Sequence, residues 1–258
     1  MNDIRTRIVD EFNKYTAAYD IEDPKINLKV KHTYRVAALC EEIARSIGLS
    51  DNDIDIAWTC GMLHDIGRFE QVKRYGTFFD AQSVDHAQFG ADLLFKDNLY
   101  EVFVADGDNE KRSLIEKAIR VHNVFRLPEN MTEREIMFSN ILRDADKIDI
   151  LRVNCETPTE DVYNVSTAEL KNAAVSEDVK VAFMEKRCAK RHDRTSAVDY
   201  LVGHICLTFE LVYKRSIELM FSQGYLDKLM QFESNNEDTQ KWFAYMRTQM
   251  ENYKLSHE

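Results

Sequence analysis

Apolar residues recur at helical spacing along nearly the whole chain. The pattern predicts helices at roughly 3–18, 31–47, 51–66, 83–96, 110–125, 132–153, 176–190, 195–222 and 236–254. Only 8 glycines and 3 prolines interrupt the 258 residues. Sandwiches and barrels need such residues at their hairpins, so the expected fold class is all-α. Start signals agree: Ser50-Asp51, Asn109-Glu110, and Thr132 with Glu135 in a capping-box pattern. The segment from Thr157 to about Glu177 is polar and weakly periodic. It is expected to separate a body over 1–156 from a C-terminal helical extension over 157–258. The apolar pattern from Val198 to Val212 carries that extension.

Charge narrows the partners. The net charge is −11, from 45 acidic and 34 basic residues. Proteins that grip a nucleic-acid backbone show a basic excess or stripe, so no polymer of that kind is expected. The densest basic run, Lys186 to Arg194, also holds Asp193 and reads as a solvated loop. A small anion stays open, because only the local field of a pocket governs its binding. No apolar run approaches the ~18–20 residues that cross a bilayer, and MNDIRTRIVDEF has no leader-like apolar core. The expected setting is cytoplasmic, with no membrane partner. The five cysteines form no CxxC pair and read as reduced thiols. A homo-oligomer is compatible with the sequence.

Histidines and aspartates fall on the apolar stripes. His32 heads the face of Val36, Leu39, Ile43 and Ile47. His64 shares its face with Ala57, Cys60 and Gly61, and His86 with Phe89, Gly90 and Leu93. His122 closes Ile115-Ala118-Ile119, and Asp146 lies between Leu142 and Ile150. Each therefore projects toward the core. His204, beside Tyr200, Leu201, Leu207 and Leu211, reads instead as a hydrogen-bonded core histidine. Buried carboxylates and imidazoles need partners, and one divalent metal site would serve the group. Imidazole with carboxylate suits Fe, Mn, Zn or Ni. Adjacent His64 and Asp65 diverge by about 100° on a helix. They would flank one metal, or Asp65 would bridge two.

The order His32 … His64-Asp65 … Asp146, with the strings GMLHDIGRF and LRDADKIDIL, resembles the HD-domain superfamily of metal-dependent phosphohydrolases. The resemblance covers roughly residues 28–155. His86 and His122 extend it to the H…HD…H…H…D pattern of the two-metal branch, which includes cyclic-dinucleotide phosphodiesterases, diadenosine tetraphosphate hydrolases and mixed-valent di-iron oxygenases. It implies an HD-domain helical core. It also implies that His32, His64, Asp65 and Asp146 hold one metal, that Asp65 bridges, and that His86 and His122 complete a second. Asp144 and Asp149 compete with Asp146; the alanine-Asp-basic-apolar pattern favours Asp146, leaving Asp149 a supporting or capping role.

Two divalent ions about 3.5–4 Å apart activate water and clamp phosphoryl oxygens. The expected activity is phosphohydrolysis of a nucleotide, dinucleotide or phosphomonoester. Cationic donors must then meet the transition-state charge. Arg68, at +3 from Asp65, is the leading candidate for catalysis and substrate binding, and Lys147 is a second catalytic candidate. Lys31 and Arg35 flank His32, and Arg74 follows in a segment expected to form a substrate wall. The ligand set alone also admits a di-iron oxygenase, and a non-catalytic nucleotide sensor is a third class. Five glycines (Gly48, Gly61, Gly67, Gly76, Gly90) crowd the region of the doublet, where helices are expected to converge.

Overall fold

The computed structural model describes residues 3–163 and 165–257. Among these residues all regular elements are helical and no strand occurs, as the periodicity predicts. No described helix is long and apolar enough to cross a membrane. The chain divides into two compact units, Met1–Asp146 and Lys147–Glu258.

The first unit carries α1 (Asp3–Thr16), α2 (Pro24–Ser46), α3 (Asp51–Leu63), α4 (Ile66–Tyr75), α5 (His86–Phe95), α6 (Leu99–Phe103), α7 (Asn109–Arg120) and the start of α8 (Glu133–Glu156). Its core includes Ile8, Phe12, Val36, Ile43, Phe69, Phe103, Ile119 and Phe138. α2 begins well before the predicted residue 31. Asp23 caps it by accepting from the Lys25 amide, and Pro24 supplies a helical φ where no amide is needed. Ser50 caps α3 through the Asp53 amide. Thr132 and Glu135 form the predicted capping box, each accepting the other's amide, at 2.7 and 3.3 Å.

The predicted helix 51–66 is two helices. α3 ends at Leu63, α4 starts at Ile66, and Asp65 between them has φ −104° and ψ 16°. The predicted helix 110–125 also ends early, at Arg120, so His122 lies in the turn beyond it. Close backbone packing holds these turns. A methyl group at Gly61 would lie 2.5 Å from Ala37 Cα, so α3 meets α2 backbone to backbone. Gly67 meets Gly90 in the same way and joins α4 to α5. On α8, buried Arg143 donates from Nη1 to the carbonyls of Val121, His122 and Val124 at 3.2, 3.2 and 2.5 Å. Those bonds fasten the His122 turn.

The second unit carries the rest of α8, then α9 (Thr159–Tyr163), α10 (Thr167–Asn172), α11 (Glu177–Met184), α12 (Ala197–Ile205), α13 (Lys214–Ser222), α14 (Tyr225–Met230) and α15 (Glu237–Leu255). The weakly periodic segment holds two short helices. The predicted helix 195–222 breaks at a 3₁₀ turn, Cys206–Glu210. No glycine or proline marks this break. Packing imposes it: Thr208 is buried and its hydroxyl reaches Met220 Sδ at 3.3 Å. His204 Nδ1 bonds Asn154 Oδ1 at 2.8 Å, the satisfied histidine the sequence predicts. The five cysteines are free thiols.

Candidate metal centre

Hydrogen bonds fix which ring nitrogens face inward. His64 Nδ1 is 2.8 Å from the Gly61 carbonyl, and His122 Nδ1 is 2.7 Å from the Ile119 carbonyl. A carbonyl only accepts, so both protons sit on Nδ1 and both Nε2 atoms present lone pairs. His86 Nδ1 likewise meets Asp80 Oδ2 at 2.6 Å. The turn geometry makes this possible, because His64 and His122 each reach back three residues to a carbonyl at a helix end.

The Nε2 atoms then converge in two pairs. His32 and His64 stand 3.3 Å apart, and His86 and His122 stand 3.0 Å apart. Asp65 lies between the pairs. Its Oδ2 is 3.5 Å from both His32 Nε2 and His64 Nε2, and its Oδ1 is 3.8 Å from His86 Nε2. Asp146 Oδ1 joins the first pair, 3.1 Å from His32 Nε2 and 3.8 Å from His64 Nε2. The four histidines and Asp65 are buried, while Asp146 is partly open. Three groups bring one donor atom per residue within 4.8 Å: His32-His64-Asp65 and Asp65-His86-His122, both buried, and the more open Asp80-Asp85-His86.

These spacings fit metal coordination. Donors at about 2.1 Å from one ion lie about 3.0 Å apart at octahedral corners and about 3.4 Å apart at tetrahedral ones. Facing lone pairs at such distances repel unless a cation or a proton lies between them. Protonation is unfavourable at the His86–His122 pair. Burial pushes His122 down to about 3, and His86 and His64 add to that shift. His86 is also lowered, first by burial and then by Arg68. The carboxylates move the opposite way from what burial alone would give. Lys29, His64 and Arg68 outweigh burial and hold Asp65 well below the usual carboxylate range. His32 with His64 does the same for Asp146. Imidazoles held neutral at His86 and His122, beside ionised carboxylates, are donors ready for divalent cations.

The structure brings together His32, His64, Asp65, His86, His122 and Asp146. It places Arg68 beside them, with Nε 3.6 Å from Asp65 Oδ1. Arg35 is half-buried one turn after His32, Lys31 is exposed, and Lys147 is half-buried next to Asp146 in the chain. Arg74 closes the last turn of α4, exposed and paired with Glu70 at 2.8 Å.

Two neighbours escape sequence reasoning. Lys29 Nζ lies 2.7 Å from Asp65 Oδ2, and Asp80 supports His86. Lys29 sits one turn before His32, and the Asp23-Pro24 start signal would have placed it on that helix. Phe78 lies over both cations, its ring centre 5.5 Å from Lys29 Nζ and 5.6 Å from the Arg68 guanidinium carbon. Asp85 caps α5 by accepting from the Ala87 and Gln88 amides.

Comparison with known proteins agrees with this geometry. The family described as HD domain matches residues 30–153. No curated protein and no solved structure matches the chain.

Proposed function

We propose, from the HD domain formed by residues 30–153, that this protein hydrolyses a small phosphorylated substrate at a two-metal centre. HD domains are typically those of metal-dependent phosphohydrolases. A nucleotide, a dinucleotide and a phosphomonoester are the substrate classes in question. The observation that carries the reading is the Asp65 carboxylate set between two pairs of inward-facing imidazoles.

In this reading His32, His64, Asp65 and Asp146 hold one ion, and Asp65, His86 and His122 hold the other. Fe, Mn, Zn and Ni all suit such donors. When bound, the ions would supply Lewis acidity, lowering the pKa of water toward ~7 and neutralising phosphoryl oxygens. The protein's own part is to aim charge. Arg68 Nη1 is taken up by Gln71 Oε1, the Phe78 carbonyl and Asp80 Oδ1, at 2.7, 2.7 and 2.9 Å. Its Nε is buried with no hydrogen-bond partner, facing Asp65 Oδ1 at 3.6 Å. An anionic oxygen arriving there would satisfy it, and the fixed fork would need no rearrangement. Lys29 offers a second cation against the same carboxylate. Lys147 is assigned a catalytic role beside Asp146, and Lys31 and Arg35 a role at the mouth. Five free thiols fit a reducing, cytoplasmic setting.

The test is to purify the protein with and without oxygen, measure bound metal, and screen phosphomonoesters, cyclic dinucleotides and dinucleoside polyphosphates. Phosphate release or diester cleavage that survives anaerobically and vanishes in His64→Ala is expected. Mixed-valent iron with oxygen uptake and no hydrolysis would replace the reading with an oxygenase. Metal binding without turnover would replace it with a sensor.

A further inference from the structure

None of the six ligands proposed above comes from the loop between α4 and α5, yet one of its carboxylates reaches two parts of the centre. Asp80 begins the short 3₁₀ turn Asp80–Gln82. Its Oδ2 accepts from His86 Nδ1 at 2.6 Å. Its Oδ1 accepts from Arg68 Nη1 at 2.9 Å and from Gln71 Nε2 at 3.0 Å. Gln71 is fully buried and pins the loop further, donating to Ser83 Oγ and the Val84 carbonyl at 2.8 and 3.1 Å.

We propose that Asp80 is a positioning residue that sets His86 for the second ion and Arg68 for the substrate anion at the same time. The inference rests on the two-metal reading above. Three donors converge on this side chain and use both of its oxygens. Only a carboxylate can accept on both sides. Asparagine would turn an N–H₂ group toward either His86 or the Arg68–Gln71 pair. With Asp80 in place, the His86 proton stays on Nδ1 and the Nε2 lone pair faces His122 and Asp65. The same contact takes up Arg68 Nη1 and leaves the Nε edge toward Asp65 Oδ1. Orientation of a metal-binding imidazole by a carboxylate commonly contributes 10–100-fold in metal affinity. Here the carboxylate also holds the phosphate-facing cation, so loading of the second ion and placement of Arg68 rise and fall together.

The experiment compares full-length wild type, Asp80→Asn and Ser83→Ala in metal-free form, each titrated calorimetrically with Mn²⁺ alone. Wild type should bind two ions. Asp80→Asn should lose 10–100-fold in affinity for one ion and keep the other. Ser83→Ala removes a loop contact without touching His86 or Arg68, and should bind both ions as wild type does. Equal weakening in both variants would mean that the loop acts only as scaffold, and would overturn the proposal. So would two wild-type affinities in Asp80→Asn. Wild type that binds no ion would overturn the two-metal reading itself, and the proposal with it. A measurement on wild type alone guards against a variant that fails to fold. ¹⁵N shifts of metal-free protein should place the His86 proton on Nδ1; a proton on Nε2 would defeat the proposal.

Discussion

His86 and His122 face each other through Nε2 atoms 3.0 Å apart, while the Nδ1 of each is engaged by a different acceptor. Two lone pairs in a buried site are a standing repulsion that a cation relieves. Metal should therefore stabilise the fold as well as equip it. At a hundredfold over Kd, binding contributes about 2.7 kcal/mol, or about 5–10 °C in Tm for a chain of this size. Differential scanning calorimetry with and without a chelator checks this. Identical Tm values would speak against a cation at the centre.

Stoichiometry separates the two halves of the site. His86→Ala and His122→Ala should each reduce bound metal from about two ions toward one. Asp65→Asn should weaken both, because its two oxygens face different histidine pairs. Metal analysis after dialysis decides; an unchanged count in His86→Ala and His122→Ala would mean a mononuclear site.

Arg68→Ala should lower kcat by about 10²–10³-fold if its free Nε edge meets transition-state charge. Arg68→Lys should restore little. An ammonium cannot hold Asp80 and the Phe78 carbonyl while also reaching the centre. Steady-state kinetics on the best substrate from the screen would show it, and a pure KM effect would argue for ground-state binding alone.

Gly61→Ala tests the packing beneath the ligands. The new methyl meets Ala37 backbone, which cannot move aside as a side chain would. Overpacking of about 1–3 kcal/mol should outweigh a helix-propensity gain of about 1 kcal/mol. Because α2 carries His32 and α3 leads into His64, metal affinity should fall as well. Denaturant melts and metal titration would measure the two losses.

A pH effect is expected from His204 in the second unit. Burial, with Arg194 adding to it, pushes this imidazole down to about 3, from an ordinary value near 6.5. Between those values the unfolded chain binds a proton that the folded chain refuses, so stability falls as pH drops from about 6.5 toward 3. His204→Leu removes that contribution. The slope of stability against pH should flatten by up to about 1.4 kcal/mol per pH unit relative to wild type. Urea melts across that range give the difference; parallel slopes would contradict it.

Five of the six proposed metal ligands stood out in the sequence as polar residues on apolar helical stripes, and Asp65 entered through its doublet with His64 and the family resemblance. The geometry that makes them converge was not legible there. Adjacent His64 and Asp65 reach one centre through a helix break that carries no proline and no side-chain capping bond. Asp80 was invisible for a different reason. It sits in a loop without periodicity, and its importance comes from contacts with α4 and α5. The C-terminal helices were legible in kind but not in number, since packing at Thr208 cuts a stretch that local pattern reads as continuous.

The break at Asp65 has one more consequence. The residues at the centre come from α2, the α3–α4 turn, α5, the turn after α7, and α8, so they are scattered through the chain and meet at one point. A bound ion would work as a cross-link that ties several distant segments together in the folded state and is lost when they part. The Asp65 carboxylate would be the knot where those segments are tied. A protease that samples open states should therefore cut the metal-loaded chain more slowly along its whole first unit, including helices far from any ligand.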